Sequence, residues 1–148
     1  MRLRSTILKV IAALVLAAAV FTPAAAAPPA GKIQINYHRA DGNYKGWGIH
    51  LWKSPNMPLE GIEWPNPMAP TGTNDFGVYW VRDEDEFANK AKTKMNINYI
   101  IHQGDVKEQG GKDQVFNGLE CKEIWVIQGD NGIYKSLADV KAAHPDLK

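Results

Sequence analysis

At 148 residues, with 17 lysines and arginines against 16 aspartates and glutamates, the chain is nearly neutral and lacks the basic stripe of a nucleic-acid binder. Its length allows one domain with a real core and too little chain for two ordinary ones. Cys121 is the sole cysteine, which excludes an internal disulfide and leaves a small apolar residue expected at a strand edge.

The first element is a targeting signal. Arg2, Arg4 and Lys9 precede an apolar run from Val10 to Phe21, and Ala24 and Ala26 follow it. A basic region, an apolar region and an Ala-x-Ala site together predict an export signal cleaved after Ala26. The run is shorter than the ~20 residues that span a bilayer, so no membrane association is expected after cleavage. Residues 1–26 are read as signal peptide, 27–31 as linker and 32–148 as a single domain, exported to the periplasm or fully secreted.

"KIQINYH", residues 32–38, alternates cleanly, with Ile33, Ile35 and Tyr37 on one face and Gln34, Asn36 and His38 on the other. Asp41-Gly42 predicts a hairpin turn into a second strand, "WGIHLWK", residues 47–53. Trp47, Ile49 and Leu51 share one face of that strand and form a core stripe; Gly48, His50 and Trp52 share the other. An indole and an imidazole beside a glycine make a poor core stripe, and the glycine would keep the approach to them open. An exposed tryptophan on an exported sheet is a candidate stacking surface, and the apolar C–H face of a pyranose ring is its natural partner. From the strand pattern alone, a half-buried edge position explains Trp52 equally well.

The Pro-rich stretch 54–73 is expected to be a long loop, with its Trp64 either a lid over the core or a surface contact. "FGVYWVR" (76–82), "MNINYIIH" (95–102) and "KEIWVIQG" (122–129) predict three more strands, with Trp80 and Trp125 assigned to packing. "DEDEFANKAKTK" (83–94) reads as a solvated connector and "QGDVKEQGGKD" (103–113) as a loop. Ser136 caps a C-terminal helix with Asp139 in its first turn, ended by His144-Pro145. The sum predicts an all-β fold, an immunoglobulin-like antiparallel β-sandwich with one short C-terminal helix.

Catalytic motifs are missing. There is no Gly-x-Ser-x-Gly elbow, no His-Glu-x-x-His zinc helix and no phosphate-binding glycine loop. Glu60, Glu63, Asp75 and the acidic run 83–86 offer carboxylates, but no spacing singles out the facing pair that glycoside hydrolysis needs. His38 and His50 would face each other across the expected hairpin, as strand residues rather than metal ligands. No catalytic residue, metal or cofactor is therefore expected.

"INYHRADGNYKGWGIHLW", "FGVYWV", "NYIIHQGDVKE" and "EIWVIQGDNGIY" together, in that order from about Ile33 to Tyr134, resemble the bacterial pullulanase-associated domain, the family 41 carbohydrate-binding module. The His-Arg-x-Asp-Gly…Gly-Trp…Leu-Trp block at 38–52 and the Trp-x-x-Gln-Gly-Asp block at 125–130 carry the likeness. The resemblance implies a non-catalytic β-sandwich that binds α-1,4- and α-1,6-linked glucan (starch, glycogen, pullulan or maltooligosaccharides) and works beside a glycoside hydrolase. It also implies two platforms two residues apart on one strand, here His50 and Trp52, and a lysine and an aspartate that bond vicinal hydroxyls, here Lys107 and Asp113. Many members carry tryptophan where His50 stands, and a further aromatic near Gly104-Asp105. The ~250 residues of a catalytic barrel do not fit in this chain, so the expectation is a free-standing binding protein or a piece separated from its enzyme. Two rival readings of the residues are a small secreted polysaccharide-active enzyme and a protein-interaction sandwich.

Overall fold

The computed structural model describes residues 27–147, so the export signal read at 1–26 lies outside the described residues. In chain order the strands are β1 (Lys32–His38), β2 (Gly48–Lys53), β3 (Met57–Pro58), β4 (Gly72–Thr73), β5 (Val78–Asp83), β6 (Asn96–Gln103), β7 (Val106–Lys107), β8 (Gln114–Asn117) and β9 (Glu123–Ile127), followed by helix α1 (Leu137–Ala143). They form two sheets. One runs β4-β5-β1-β9; the other runs β3-β2-β6, with β7 and β8 both paired to the far edge of β6.

Period-2 patterning explains how the sheets face each other. Ile33, Ile35 and Tyr37 of β1, Ile49 and Leu51 of β2, and Ile97, Tyr99 and Ile101 of β6 all point inward and are fully buried. Trp80 from β5 and Trp47, just before β2, fill the space between the sheets with the largest rings, and Tyr37 lies 5.8 Å from the Trp47 ring centroid. This is the β-sandwich that the alternation predicts.

Two pairings differ from the sequence reading. β1 and β2 do not form a hairpin: β1 pairs with β5 and β9, while β2 pairs with β6 and β3 in the opposite sheet. Asp41-Gly42 does turn the chain, with the Gly42 N–H donating to Arg39 O at 3.1 Å. Tyr44 and Trp47 then insert into the core against Tyr37, at 6.0 and 5.8 Å, and draw the connection across to the second sheet. His38 and His50 are thereby separated; His38 sits on the first sheet with Nδ1 2.6 Å from Phe76 O. The second difference is direction. The β1–β9 pair is parallel, Gln34 aligning with Glu123 and His38 with Ile127, within an otherwise antiparallel sandwich.

The outer face of the first sheet is covered. Trp125 and Ile127 of β9 pack with Val140 of α1 and with Phe76, Tyr134, Leu137 and Leu147 in a second apolar cluster. Ser136 caps α1 through Asp139 N–H at 3.0 Å, as the capping pattern predicts. The acidic connector forms a single 3-10 turn at Glu84–Glu86, and half-buried Cys121 precedes β9 as a free thiol. Among the described residues no helix covers the second sheet's outer face, and the Pro-rich loop reaches over it instead.

Candidate functional site

That loop is tied down at both ends along β2. Met57 and Pro58 pair with Lys53 and Trp52, and further on Met68 exchanges backbone hydrogen bonds with Ile49 at 2.9 and 3.0 Å. The same Met68 carbonyl accepts from Trp80 Nε1 at 2.9 Å, which seals the sandwich edge. Pro67 then lies directly on Gly48, where an added Cβ would stand 2.8 Å from Pro67 Cγ. Gly48 therefore makes room for the loop and not for an incoming ligand, which corrects the open-approach reading. Between the two anchor points the loop delivers Trp64 onto the outer face of β6.

The strand register assembles the rest. On the outer face Gly48 aligns with His102, His50 with Ile100 and Trp52 with Asn98, while His102 in turn aligns with Lys107 of β7. His50 and Trp52, two positions apart, have ring centroids separated by 5.6 Å and planes tilted by 39°. Trp64 meets His50 edge-on at 5.7 Å and stacks flat on His102, with centroids 3.9 Å apart and planes 3° from parallel. Lys107 sets its ammonium 4.8 Å from the centroid of the Trp64 ring, within cation–π range. His50, Trp52, Asn56, Pro58, Trp64, Ile100 and Asp113 line one depression of about 320 Å³.

The surroundings of His50 favour its neutral form. Burial holds the His50 pKa below the usual imidazole range; the neighbouring His102 pushes the same way and Asp113 opposes them. At neutral pH His50 is then an uncharged ring, with its buried Nδ1 lacking a protein partner. His102 is fully buried beneath Trp64, with Nδ1 2.9 Å from Gly104 O. The depression thus combines aromatic faces and one carboxylate, with one ammonium against the Trp64 ring of its wall, a set able to stack on a ring and to exchange hydrogen bonds with hydroxyls.

Three of the four site residues named from the sequence, His50, Trp52 and Asp113, line this depression, and the fourth, Lys107, reaches its wall through Trp64. The sequence model of the bacterial pullanase-associated domain matches residues 31–135. The chain belongs to that family. An α-amylase of Streptomyces lividans is 32% identical over 77 residues, a stretch covering 52% of this chain and 7% of the amylase. A solved streptococcal virulence factor described as binding α-glucan superposes with a TM-score of 0.57 at 26% identity, covering 75% of this chain and 50% of that one. Family 41 carbohydrate-binding modules from streptococcal virulence factors share the fold at a TM-score of 0.58 and 22% identity, over 76% of this chain and 50% of theirs. This pullanase-associated domain therefore spans only a small part of the amylase it matches and half of each of those two structures.

Trp64 is the residue that sequence reasoning left undecided. The sequence has no aromatic at Gly104-Asp105, and Trp64 supplies a third aromatic to the depression from a different loop. The prolines on either side of it, Pro58 with Pro65 and Pro67, were the available signal, since they stiffen the segment that presents the ring.

Proposed function

We propose that this domain is an exported, non-catalytic module that binds α-glucan, with Trp52 and His50 stacking on consecutive glucose rings. Trp64 closes the third side of the site, and Lys107 and Asp113 exchange hydrogen bonds with vicinal hydroxyls. The observation that carries this reading is the convergence of His50, Trp52, Trp64 and Asp113 on one depression with Lys107 against its wall. It is supported by the 26% identical streptococcal protein described as binding α-glucan. The physiological partner is a starch-, glycogen- or pullulan-like chain, with a separate glycoside hydrolase acting on the same polymer.

The 39° tilt between the two platform rings selects for linkage. Adjacent rings of a curved α-1,4 chain meet platforms set at an angle on a twisted strand, whereas the flat chain of cellulose does not. Affinity gels containing glycogen, amylose or pullulan should retard the protein, and cellulose should leave its mobility unchanged. Equal retardation by amylose and cellulose would remove the basis for the linkage assignment. Incubation with maltohexaose should release no shorter chains, and their appearance would favour an enzyme.

Binding should also be independent of divalent cations. The polar groups of the site supply three ammonium donors and a pair of carboxylate acceptors directly to hydroxyls. Among the described residues no group of three or more His, Cys, Asp or Glu side chains is placed to hold a metal ion. Maltooligosaccharide titrations before and after exhaustive EDTA treatment should superimpose; loss restored by calcium would refute this assignment.

A further inference from the structure

Glu108 lies between Lys107 and the turn that leads to Asp113, yet its side chain points away from the depression and is only 8% exposed. One carboxylate oxygen accepts from the Tyr37 hydroxyl and, at 3.4 Å, from Arg39 Nη1. The other accepts from the backbone N–H of Gly129 at 3.1 Å. Arg39 is held in its turn, donating to both oxygens of Asp41 at 3.0 and 2.7 Å and lying 4.3 Å over the Trp47 ring. The carboxylate thus ties three chain segments together: the exit of β1, the loop of the site and the exit of β9.

The turn beside it needs such an anchor. Gln109, Gly110 and Gly111 take φ values of 51°, 68° and 72° in succession. A left-handed run that includes a non-glycine residue persists only where its surroundings over-determine it. Gln109 contributes a second tie, its Nε2 donating to Gly132 O at 3.1 Å from a buried position. Burying a carboxylate against an arginine is weak support for a fold by itself, so the position of the pair asks for another role.

Resting on the reading of the site given above, we infer that Glu108 is a positioning residue for the glucan: its carboxylate fixes the segment from Lys107 to Asp113, so that the ammonium and the carboxylate of that segment are set for vicinal hydroxyls before the ligand arrives. Preorganisation of this kind raises affinity by removing the ordering of a loop from the binding step. Glu108→Gln keeps the shape but has one acceptor oxygen in place of two. Its amide keeps an acceptor on one side only: with the oxygen toward the Gly129 N–H it loses the Arg39 bond and can only donate to the Tyr37 hydroxyl, and turned the other way it loses the Gly129 bond.

The test is a double-mutant cycle read by titration with maltotetraose and by glycogen gel retardation, with thermal midpoints recorded in parallel. Glu108→Gln should weaken binding about tenfold, the lower end of what outer-layer partners contribute at metal sites. In a Lys107→Ala/Asp113→Ala background the same substitution should change affinity less than about twofold, because the groups it positions are gone. A full tenfold loss in both backgrounds, or a lowered thermal midpoint with undiminished affinity, would overturn the inference. Tyr37→Phe keeps the core ring and deletes one donor; a loss of about threefold, confined to the intact background, is expected. If Glu108→Gln does not fold, Tyr37→Phe decides, and unchanged affinity there overturns the inference. A wild-type protein that no α-glucan retards would instead bring down the reading of the site, whereas a wild type that binds no better than Glu108→Gln brings down the inference alone.

Discussion

Trp52→Ala is expected to reduce maltooligosaccharide affinity by about 10- to 200-fold while changing folding stability by less than about 1 kcal/mol. An indole stacked on a glucose face buries apolar area worth ~1.5–3 kcal/mol, which gives that range of affinity. Trp52 is half-buried and sits on the outer face of its sheet, with His50 and Pro58 as neighbours, outside the buried core cluster. Truncating it removes little that the folded chain needs, because surface substitutions away from special features rarely move stability far. Calorimetric titration and thermal unfolding of the same variant separate the two effects. Normal affinity in a folded Trp52→Ala protein would remove the platform from the proposed function, and a collapsed thermal midpoint would mean that this outer-face ring holds the fold together.

How far the sequence leads is clearest on β2. Its two faces are separable by period alone: Ile49 and Leu51 are fully buried, while His50 and Trp52 are not. The burial of Ile33, Ile35 and Tyr37 follows from the same rule. Pairing partners were another matter. The Asp41-Gly42 turn is real, but turn chemistry specifies only local chain reversal; where the next strand goes is decided by Tyr44 and Trp47 packing on Tyr37. The parallel pairing of β1 with β9 joins segments far apart in sequence, and no local pattern encodes it. β3, β4, β7 and β8 are short or polar, and their strand character comes from the neighbours they pair with.

The site divides along the same line. Residues on one strand, His50 and Trp52, could be placed together from spacing, while Lys107 and Asp113 came from likeness to a family and no local pattern joins them to the strand. Trp64 and Glu108 illustrate what remained hidden. Trp64 reaches the depression because Pro58 and Met68 pin a long loop to the edge of β2, a consequence of tertiary pairing. Glu108 reads in sequence as one charge in a hydrophilic loop, and only the fold turns it inward onto Tyr37, Arg39 and Gly129.

Trp47→Ala should behave as the inverse of Trp52→Ala. Trp47 is 7% exposed, packs 5.8 Å from the Tyr37 ring and supports the Arg39 guanidinium at 4.3 Å. Removing so large a buried ring leaves a cavity between the sheets and takes the cation–π partner from a desolvated arginine, at an expected loss of roughly 3–5 kcal/mol of stability. For a domain of this size, where the whole margin is about 5–15 kcal/mol, that is a large fraction of the total. The ring makes no contribution to the lining of the depression, so the protein that remains folded should bind maltooligosaccharide within a few-fold of wild type. Chemical denaturation at low temperature, followed by titration under conditions where the variant is folded, reads both quantities. A stable Trp47→Ala protein that has lost far more affinity than Glu108→Gln, the variant that breaks the link from Tyr37 and Arg39 to the site, would show that the indole inside the sandwich, and not the one on its outer face, carries the binding energy.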